Sequence, residues 1–208
     1  MNLQVHDLGF IPYKEAWNIQ KDLHQKRLDG ETGDMLLLVE HEPVYTLGKN
    51  ANREHILHQS PNNVEIIQVE RGGDVTFHGP GQVVGYPILD LHNYKLSVSW
   101  YMQSLEEVII NTLGEFNIVA SRKNGLTGVW VKDEKIAALG VRISRWVTMH
   151  GFALNVNTNL RYFDVIIPCG ISEYNVTSME LILGEKIPIS EVIATLIKNF
   201  KEQFKFDE

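Results

Sequence analysis

Residues 71–85 read RGGDVTFHGPGQVVG, and the structure expected for the residues on either side follows from this stretch. Five glycines and one proline lie in these fifteen residues, between apolar runs at 66–69 and 86–89. Each glycine costs backbone entropy on folding, so a cluster is useful where the backbone turns left-handed or where another group approaches closely. The stretch therefore predicts either a glycine-lined wall of a binding pocket, fed by strands on both sides, or two tight turns of a β-meander.

The same stretch does not match the nucleotide-binding fingerprints. Within residues 79–85 the third glycine comes one position too late for G-x-G-x-x-G, and no helical pattern follows. The phosphate-binding pattern G-x-x-x-x-G-K-[ST] is absent from the chain. His55 and His58 are three residues apart, but without a carboxylate pattern nearby they are better explained as surface histidines than as metal ligands. We predict no cofactor and no metal site.

Composition limits the class of protein. A length of 208 residues with 44% hydrophobic and 22% charged side chains is typical of a globular protein, and we expect one domain over residues 1–208. We find no apolar run of membrane-spanning length and no secretory signal at the N-terminus. The single cysteine excludes internal disulfides and fits a reducing compartment, and the net charge of −7 argues against nucleic acid as a general partner. We therefore expect a cytoplasmic protein that binds neither membranes nor nucleic acid.

Hydrophobic periodicity predicts the fold class. Apolar residues at helical spacing predict a helix over residues 13–28, a second one capped by Ser97 or Ser99, and a last one capped by Ser190. Apolar runs between them predict strands, and Pro87 favours an edge strand or a bulge. Gly140 and Gly151 fall inside strands, which indicates close approach of a ligand or of another backbone. The expected fold is α/β (α+β), a mixed and largely antiparallel sheet with flanking helices.

Cys169 is the only thiol, and it lies between a proline and a glycine. Lone cysteines are most often buried core residues, but this setting suits an exposed loop and a nucleophile. Because a free thiol has a pKa of about 8.5, it needs a nearby cation or base to react at neutral pH. His78 and His150 lie beside glycines, and Lys135 begins a glycine-containing strand. Sequence spacing leaves the choice among these three partners open.

Several segments of the chain, considered together, resemble the lipoyl(octanoyl) transferase family over roughly residues 37 to 178. The resemblance is carried, in chain order, by residues 71–87, 125–131, 135–142, 150–155 and 168–171. Phe77 and Met149 stand where the family usually has tyrosine, so Phe77 lacks a hydroxyl that could make one hydrogen bond. The resemblance implies the fold of the catalytic domain of biotin and lipoate protein ligases, without their use of ATP.

The resemblance also implies the reaction and its residues. An octanoyl (or lipoyl) group would pass from acyl carrier protein to a specific lysine of a lipoyl domain, in 2-oxo acid dehydrogenases and the glycine cleavage H protein, as the first step of endogenous lipoate synthesis. Cys169 would carry the group as a thioester, and Lys135 would lower the pKa of the thiol and act as the acid/base. The acyl group would be bound by Arg71, Gly72, Gly73, Asp74, Val75, Thr76, Phe77, His78, Ala138, Leu139, Gly140, Gly151, Phe152 and Ala153.

Three other functions compete with this interpretation. An ATP-dependent lipoate or biotin protein ligase would share the fold, need ATP and not need Cys169. A cysteine hydrolase would release free acid without an amine acceptor. A non-catalytic module would bind the acyl carrier and never take up the acyl group.

Overall fold

The computed structural model describes residues 2–52, 55–56, 64–166 and 175–207. Cys169, with the rest of 167–174, and His58 lie outside the described residues. The strands are β1 Gln4–Ile11, β2 Met35–His41, β3 Val44–Leu47, β4 Glu65–Gln68, β5 Val75–His78, β6 Gln82–Ile88, β7 Ser121–Lys123, β8 Leu126–Val131, β9 Glu134–Ser144 and β10 Val147–Asn155. The α-helices are α1 Tyr13–Leu28, α2 Val98–Glu115, α3 Met179–Leu183 and α4 Ile189–Phe204.

Seven strands form the main sheet, in the order β1-β2-β6-β10-β9-β8-β7. Strands β1 and β2 run parallel, and the other neighbours in this sheet are antiparallel. A smaller sheet has β3 at its centre, parallel to β4 and antiparallel to β5. The prediction of a mixed, largely antiparallel sheet is confirmed.

Helices cover both faces of the main sheet, and the alternation of side chains along β2 shows how. Leu36 and Leu38 belong to the core under α2 and α4, whereas Leu37 and Val39 belong to the core under α1. Successive strand residues point to opposite faces, so an uninterrupted apolar run serves both cores. None of the described helices is long and apolar enough to span a lipid bilayer.

The predicted helices are present, with one error at a terminus. Ser97 caps α2, since its Oγ accepts a hydrogen bond from the Trp100 N–H at 3.2 Å. The predicted cap at Ser190 is wrong, because α4 already begins at Ile189 after Pro188. The fixed φ of Pro188 suits the residue at which the helix starts, whereas Ser190 already lies inside the first turn. Strand β1 was not predicted, because its mostly exposed residues give no strong apolar pattern.

Pro87 lies in the middle of the main sheet, so the edge position allowed by its sequence is wrong. Strand β6 pairs regularly with β10 only from Gln82 to Gly85. The pairing resumes beyond the proline, where the Thr148 N–H donates to the Leu89 carbonyl at 2.9 Å. The missing proline N–H therefore falls at an irregularity of the ladder, and there the backbone of His150 is left-handed, with φ 59°.

Candidate active site

An open cleft lies against the main sheet beneath the glycine-rich segment. On the sheet side, Ala138 pairs with Ala153 and Gly140 pairs with Gly151. Directly opposed residues share a face, and residues two apart share it again, so these four small residues form one continuous trough. All the predicted substrate-binding residues except Gly72 and Phe77 line this cleft.

Gly72 and Phe77 lie elsewhere and do something different. The Gly72 N–H donates to the Val141 carbonyl at 2.8 Å, which fixes the glycine-rich segment to β9. Phe77 points into the core of the smaller sheet, where its ring stacks on Tyr162 with centroids 4.4 Å apart. The structure therefore assigns both residues contacts that hold the wall in place.

The two strand glycines are required by close backbone contacts. A Cβ on Gly151 would lie 2.1 Å from the Gly85 carbonyl oxygen, and one on Gly140 would lie 2.8 Å from the Gly72 carbonyl oxygen. Contacts under 3 Å with backbone atoms cannot be relieved by side-chain rotation. The expectation that another backbone approaches these strands is confirmed.

Four further residues line the cleft that the sequence analysis did not assign to it, namely Tyr13, Val84, Tyr86 and His150. The ring of Tyr13 stacks on His78 at a centroid distance of 5.6 Å. The Tyr86 hydroxyl donates to His41 Nε2 at 2.7 Å, and His41 Nδ1 donates to the Ile11 carbonyl at 3.0 Å. Tyr13 and Tyr86 look like ordinary core residues in the sequence, which gave no signal of this role.

Arg71 begins a chain of buried hydrogen bonds that all point in one direction. Its Nη2 donates to the Thr46 hydroxyl oxygen at 2.8 Å and to the Thr46 carbonyl at 2.7 Å. The Thr46 hydroxyl donates to His78 Nε2 at 3.3 Å, and His78 Nδ1 donates to Gln82 Oε1 at 2.9 Å. Burial lowers the pKa of His78 well below its usual range, so the ring is neutral and can accept at one nitrogen and donate at the other.

The chain continues from Gln82 to the start of β9. Gln82 Nε2 donates to Asn155 Oδ1 at 2.9 Å, and Asn155 Nδ2 donates to the Thr177 carbonyl at 3.0 Å. The Thr177 N–H donates to the Lys135 carbonyl at 2.9 Å. Because each side chain from Thr46 to Asn155 donates to the next, those bonds polarise one another, and the bonds to Thr177 hold residues 175–177 to the sheet.

Lys135 lines a second, smaller cavity. This cavity shares Thr76, Ala138 and Ala153 with the wall of the larger cleft. The lysine residue is only 6% exposed, and its Nζ lies 4.8 Å from the ring centroid of Trp130. A cation over an aromatic face is favourable, so the site holds a positive charge out of bulk water.

The backbone around Lys135 fixes where its side chain lies. The Lys135 N–H donates to the Asn175 carbonyl at 2.9 Å, so β9 begins against residues 175–177. Gly128 leaves room beside the lysine, since a Cβ there would lie 3.1 Å from Lys135 Cε. The Gly128 N–H donates to the buried carboxylate of Glu106 at 3.0 Å, a support that no sequence pattern indicated.

A family model described as the lipoyl protein ligase A/B catalytic domain matches residues 12–201 of the chain. The chain belongs to this family. It is 49% identical to an octanoyltransferase of Koribacter versatilis, over 98% of this chain and 84% of the relative. It is 46% identical to an octanoyltransferase of Caldanaerobacter subterraneus subsp. tengcongensis, over 99% of this chain and 92% of the relative.

Solved structures of the lipoyl protein ligase family and of biotin protein ligases share the fold. A bi-partite lipoate protein ligase from Thermoplasma acidophilum superposes with a TM-score of 0.75 at 16% identity, over 100% of this chain and 85% of that one. The biotin protein ligase of Aquifex aeolicus in complex with biotin and ATP gives 0.61 at 14% identity, over 97% and 70%. The fold expected from the sequence resemblance is therefore confirmed.

The three residues that the sequence analysis offered as partners of Cys169 lie in two different cavities. Lys135 lies in the smaller cavity, whereas His78 and His150 line the larger cleft. Both ring nitrogens of His78 already have partners, Thr46 and Gln82, in the series of hydrogen bonds that begins at Arg71. The Lys135 N–H, by contrast, donates to the Asn175 carbonyl, and residue 175 is the first described residue after Cys169.

Proposed function

We propose that this chain is an octanoyltransferase, which moves an octanoyl group from acyl carrier protein to a lysine of a lipoyl domain. The named activity of relatives at 46–49% identity over nearly the whole chain supports this choice. We further propose that residues 1–208 act as one catalytic domain, consistent with a family match over residues 12–201.

One observation carries the proposal, which is the buried ammonium of Lys135 beside an apolar cleft. The cleft is concave and is lined mostly by tyrosine, valine, alanine, leucine and glycine residues with a few polar groups, as is usual for small-ligand sites. Its sheet side carries the small residues Ala138, Ala153, Gly140 and Gly151, which leaves an apolar wall without bulky side chains for a hydrocarbon chain. Lys135 lies behind the wall at one end, where it can stabilise an anion formed at the head of that chain.

In the first step the Cys169 thiolate attacks the carbonyl carbon of the octanoyl thioester. A new C–S bond forms, the C–S bond to the carrier breaks, and the carrier leaves as a thiol. The Lys135 ammonium stabilises the attacking thiolate and gives a proton to the leaving sulfur. Because one thioester replaces another, the step is nearly balanced in free energy and needs no ATP.

In the second step the amine of the acceptor lysine attacks the acyl-enzyme. A C–N bond forms, the C–S bond to Cys169 breaks, and the proton lost by the amine passes to Lys135, now neutral. Acceptors of this class are the lipoyl domains of 2-oxo acid dehydrogenases and the glycine cleavage H protein. Apolar walls keep water away from the intermediate between the two steps.

Intact-mass spectrometry tests the proposal after mixing the protein with octanoyl-loaded acyl carrier protein without ATP. We expect one added octanoyl group on the protein, its discharge onto an added lipoyl domain, and no adduct on the Cys169→Ala variant. Modification of the lipoyl domain only when ATP and free octanoic acid are supplied would instead establish an ATP-dependent ligase. Release of free acid without transfer would establish a hydrolase.

A further inference from the structure

His150 is a buried polar side chain that contacts the larger cleft without a hydrogen bond. It is 1% exposed, and neither Nδ1 nor Nε2 has a hydrogen-bond partner among the described residues. Its backbone is satisfied, since the N–H donates to Gln20 Oε1 at 3.1 Å. Buried polar groups are almost always paired, and an unpaired one lowers stability. The imidazole therefore indicates a ligand group that completes it.

The position of His150 shows which part of an acyl chain it would meet. It pairs across the ladder with Val141, six residues along β9 from Lys135. Six strand residues span about 20 Å, so the two side chains lie at opposite ends of the trough. If the proposed function holds, the reacting carbonyl lies at the Lys135 end and the far end of the chain points towards His150.

The backbone conformation brings the imidazole to this side of the sheet. In a regular strand, His150 would face away from the trough, because it follows the alternation set by Gly151. Its φ of 59° interrupts that alternation, and the residue lines the cleft. An asparagine or histidine tolerates this left-handed backbone better than a branched residue does.

The chemistry of the ring selects the ligand group. Burial lowers the pKa of His150 to about 4, so at neutral pH the ring is uncharged and offers one donor and one acceptor. Tyr86, whose ring centroid lies 6.5 Å from that of His150, already donates its hydroxyl to His41, and the charged groups of Glu70, Arg71 and Arg142 act on the ring without a hydrogen bond to it. A plain hydrocarbon end leaves both ring nitrogens unpaired, whereas a hydroxyl at that end pairs with one of them.

We propose that His150 is a specificity-determining residue, which hydrogen-bonds a polar group at the far end of a medium-length acyl chain. The cleft then accepts ω-hydroxyacyl thioesters as a second class of donor besides octanoyl. This inference rests on the proposed function for the direction of the chain, but not for the existence of the polar end of the cleft.

Competition between donors tests the inference. Octanoyl- and 8-hydroxyoctanoyl-loaded carrier protein are compared by kcat/KM with the wild type, His150→Leu and His150→Gln. We expect His150→Leu to lower the hydroxyoctanoyl-to-octanoyl ratio roughly tenfold, about the effect of one neutral hydrogen bond, and His150→Gln to restore part of it. The matched control is His24→Leu, a buried histidine outside the cleft that contacts the Val147 carbonyl at 3.3 Å. It should leave the ratio unchanged.

Calorimetry with the two free acids, octanoic and 8-hydroxyoctanoic, repeats the comparison without any transfer chemistry. The same change in the affinity ratio is expected, so failure of the enzyme to load either donor would count against the proposed function alone. An unchanged ratio in folded His150→Leu, by both measurements, would overturn the role of His150. Thermal unfolding provides the folding check, because His150→Leu removes an unpaired polar group but places leucine on a left-handed backbone that favours histidine, and both ratios are measured at a temperature where the variant is folded.

Discussion

The proposed chemistry depends most on one residue, Lys135, through its ammonium group. Its burial is tolerated because the Trp130 ring faces it and Gly128 leaves room for its side chain. A cation held in this way keeps its full electrostatic effect on a neighbouring anion, because little water screens it. The same cation on the surface would contribute far less.

Lys135→Met should abolish most of the transfer activity while leaving the protein folded. The substitution keeps the length of the side chain and removes the charge, so acid/base catalysis worth roughly 10²- to 10⁴-fold is lost. Single-turnover formation of the octanoyl adduct gives the rate. Lys123→Met is the matched control, because Lys123 Nζ also lies over the Trp130 ring, at 4.9 Å, on the outer side near Asp133. An equal loss in both variants would show that the indole contact, rather than the Lys135 charge, is what matters.

Gly151→Ala should destabilise the fold, whereas Gly114→Ala should stabilise it. The first substitution drives a Cβ into the Gly85 carbonyl, and overpacking of this kind costs about 1–3 kcal/mol or more. The second lies inside α2 with no atom within 4 Å of the new Cβ, so it gains about 0.5–1 kcal/mol of helix propensity. Urea denaturation measures both free energies of unfolding. A Gly151→Ala variant as stable as the wild type would contradict the packing described around β6 and β10.

At the scale of elements, the start of β9 pairs with β8 on one side and with residues 175–177 on the other. Asn155, at the end of β10, anchors this segment through the Thr177 carbonyl and receives a hydrogen bond from Gln82. The series of hydrogen bonds that begins at Arg71 therefore links the glycine-rich wall to the backbone that carries Lys135. Both ends of the site are positioned by one set of buried polar groups.

Asn155→Ala should lower kcat by roughly 10- to 100-fold at a temperature where the variant is still folded, because small displacements of a catalytic group have effects of that size. Asn157→Ala is the control, since Asn157 bonds the Ile187 backbone through both its side-chain atoms, at 2.8 and 3.0 Å. Its loss should reduce the thermal midpoint without a comparable effect on kcat. Steady-state kinetics beside thermal unfolding separate the two outcomes, and equal kinetic losses would argue against a positioning role for Asn155.

The sequence predicts these elements well where one local pattern controls them. The glycine-rich stretch, the apolar run of β2 and the Ser97 cap each act within a few residues, so they are legible in the chain. Pro87 and His150 are different, because their roles depend on an irregular ladder between β6 and β10 that forms only in the assembled sheet. No sequence pattern indicated the series of hydrogen bonds that begins at Arg71, because one of its bonds joins Gln82 to Asn155, which are 73 residues apart.

At the scale of the whole molecule, buried histidines from three different strands lie in the cleft or directly behind it. His41 and His150 are each about 1% exposed or less, and desolvation lowers the pKa of each to about 4. The backbone bond to Ile11 partly opposes this shift in His41, and Glu70 partly opposes it in His150, where Arg71 and Arg142 add to it. His78 shifts in the same direction. Folding therefore requires these rings to be neutral.

The stability of the protein should consequently fall as the pH drops from about 6.5 to about 4. Above pH 6.5 the histidines are neutral in the folded and unfolded chains, so their contribution does not change. Between the unfolded pKa near 6.5 and the folded pKa near 4, only the unfolded chain binds protons, which lowers the free energy of unfolding by a few kcal/mol at most for each ring. Urea denaturation at a series of pH values measures the slope. His41→Gln retains a donor and an acceptor but cannot titrate, so it should flatten the curve in this window, whereas the same change at the exposed His6 should not. A curve for His41→Gln parallel to that of the wild type would show that the buried ring is not held neutral by the fold.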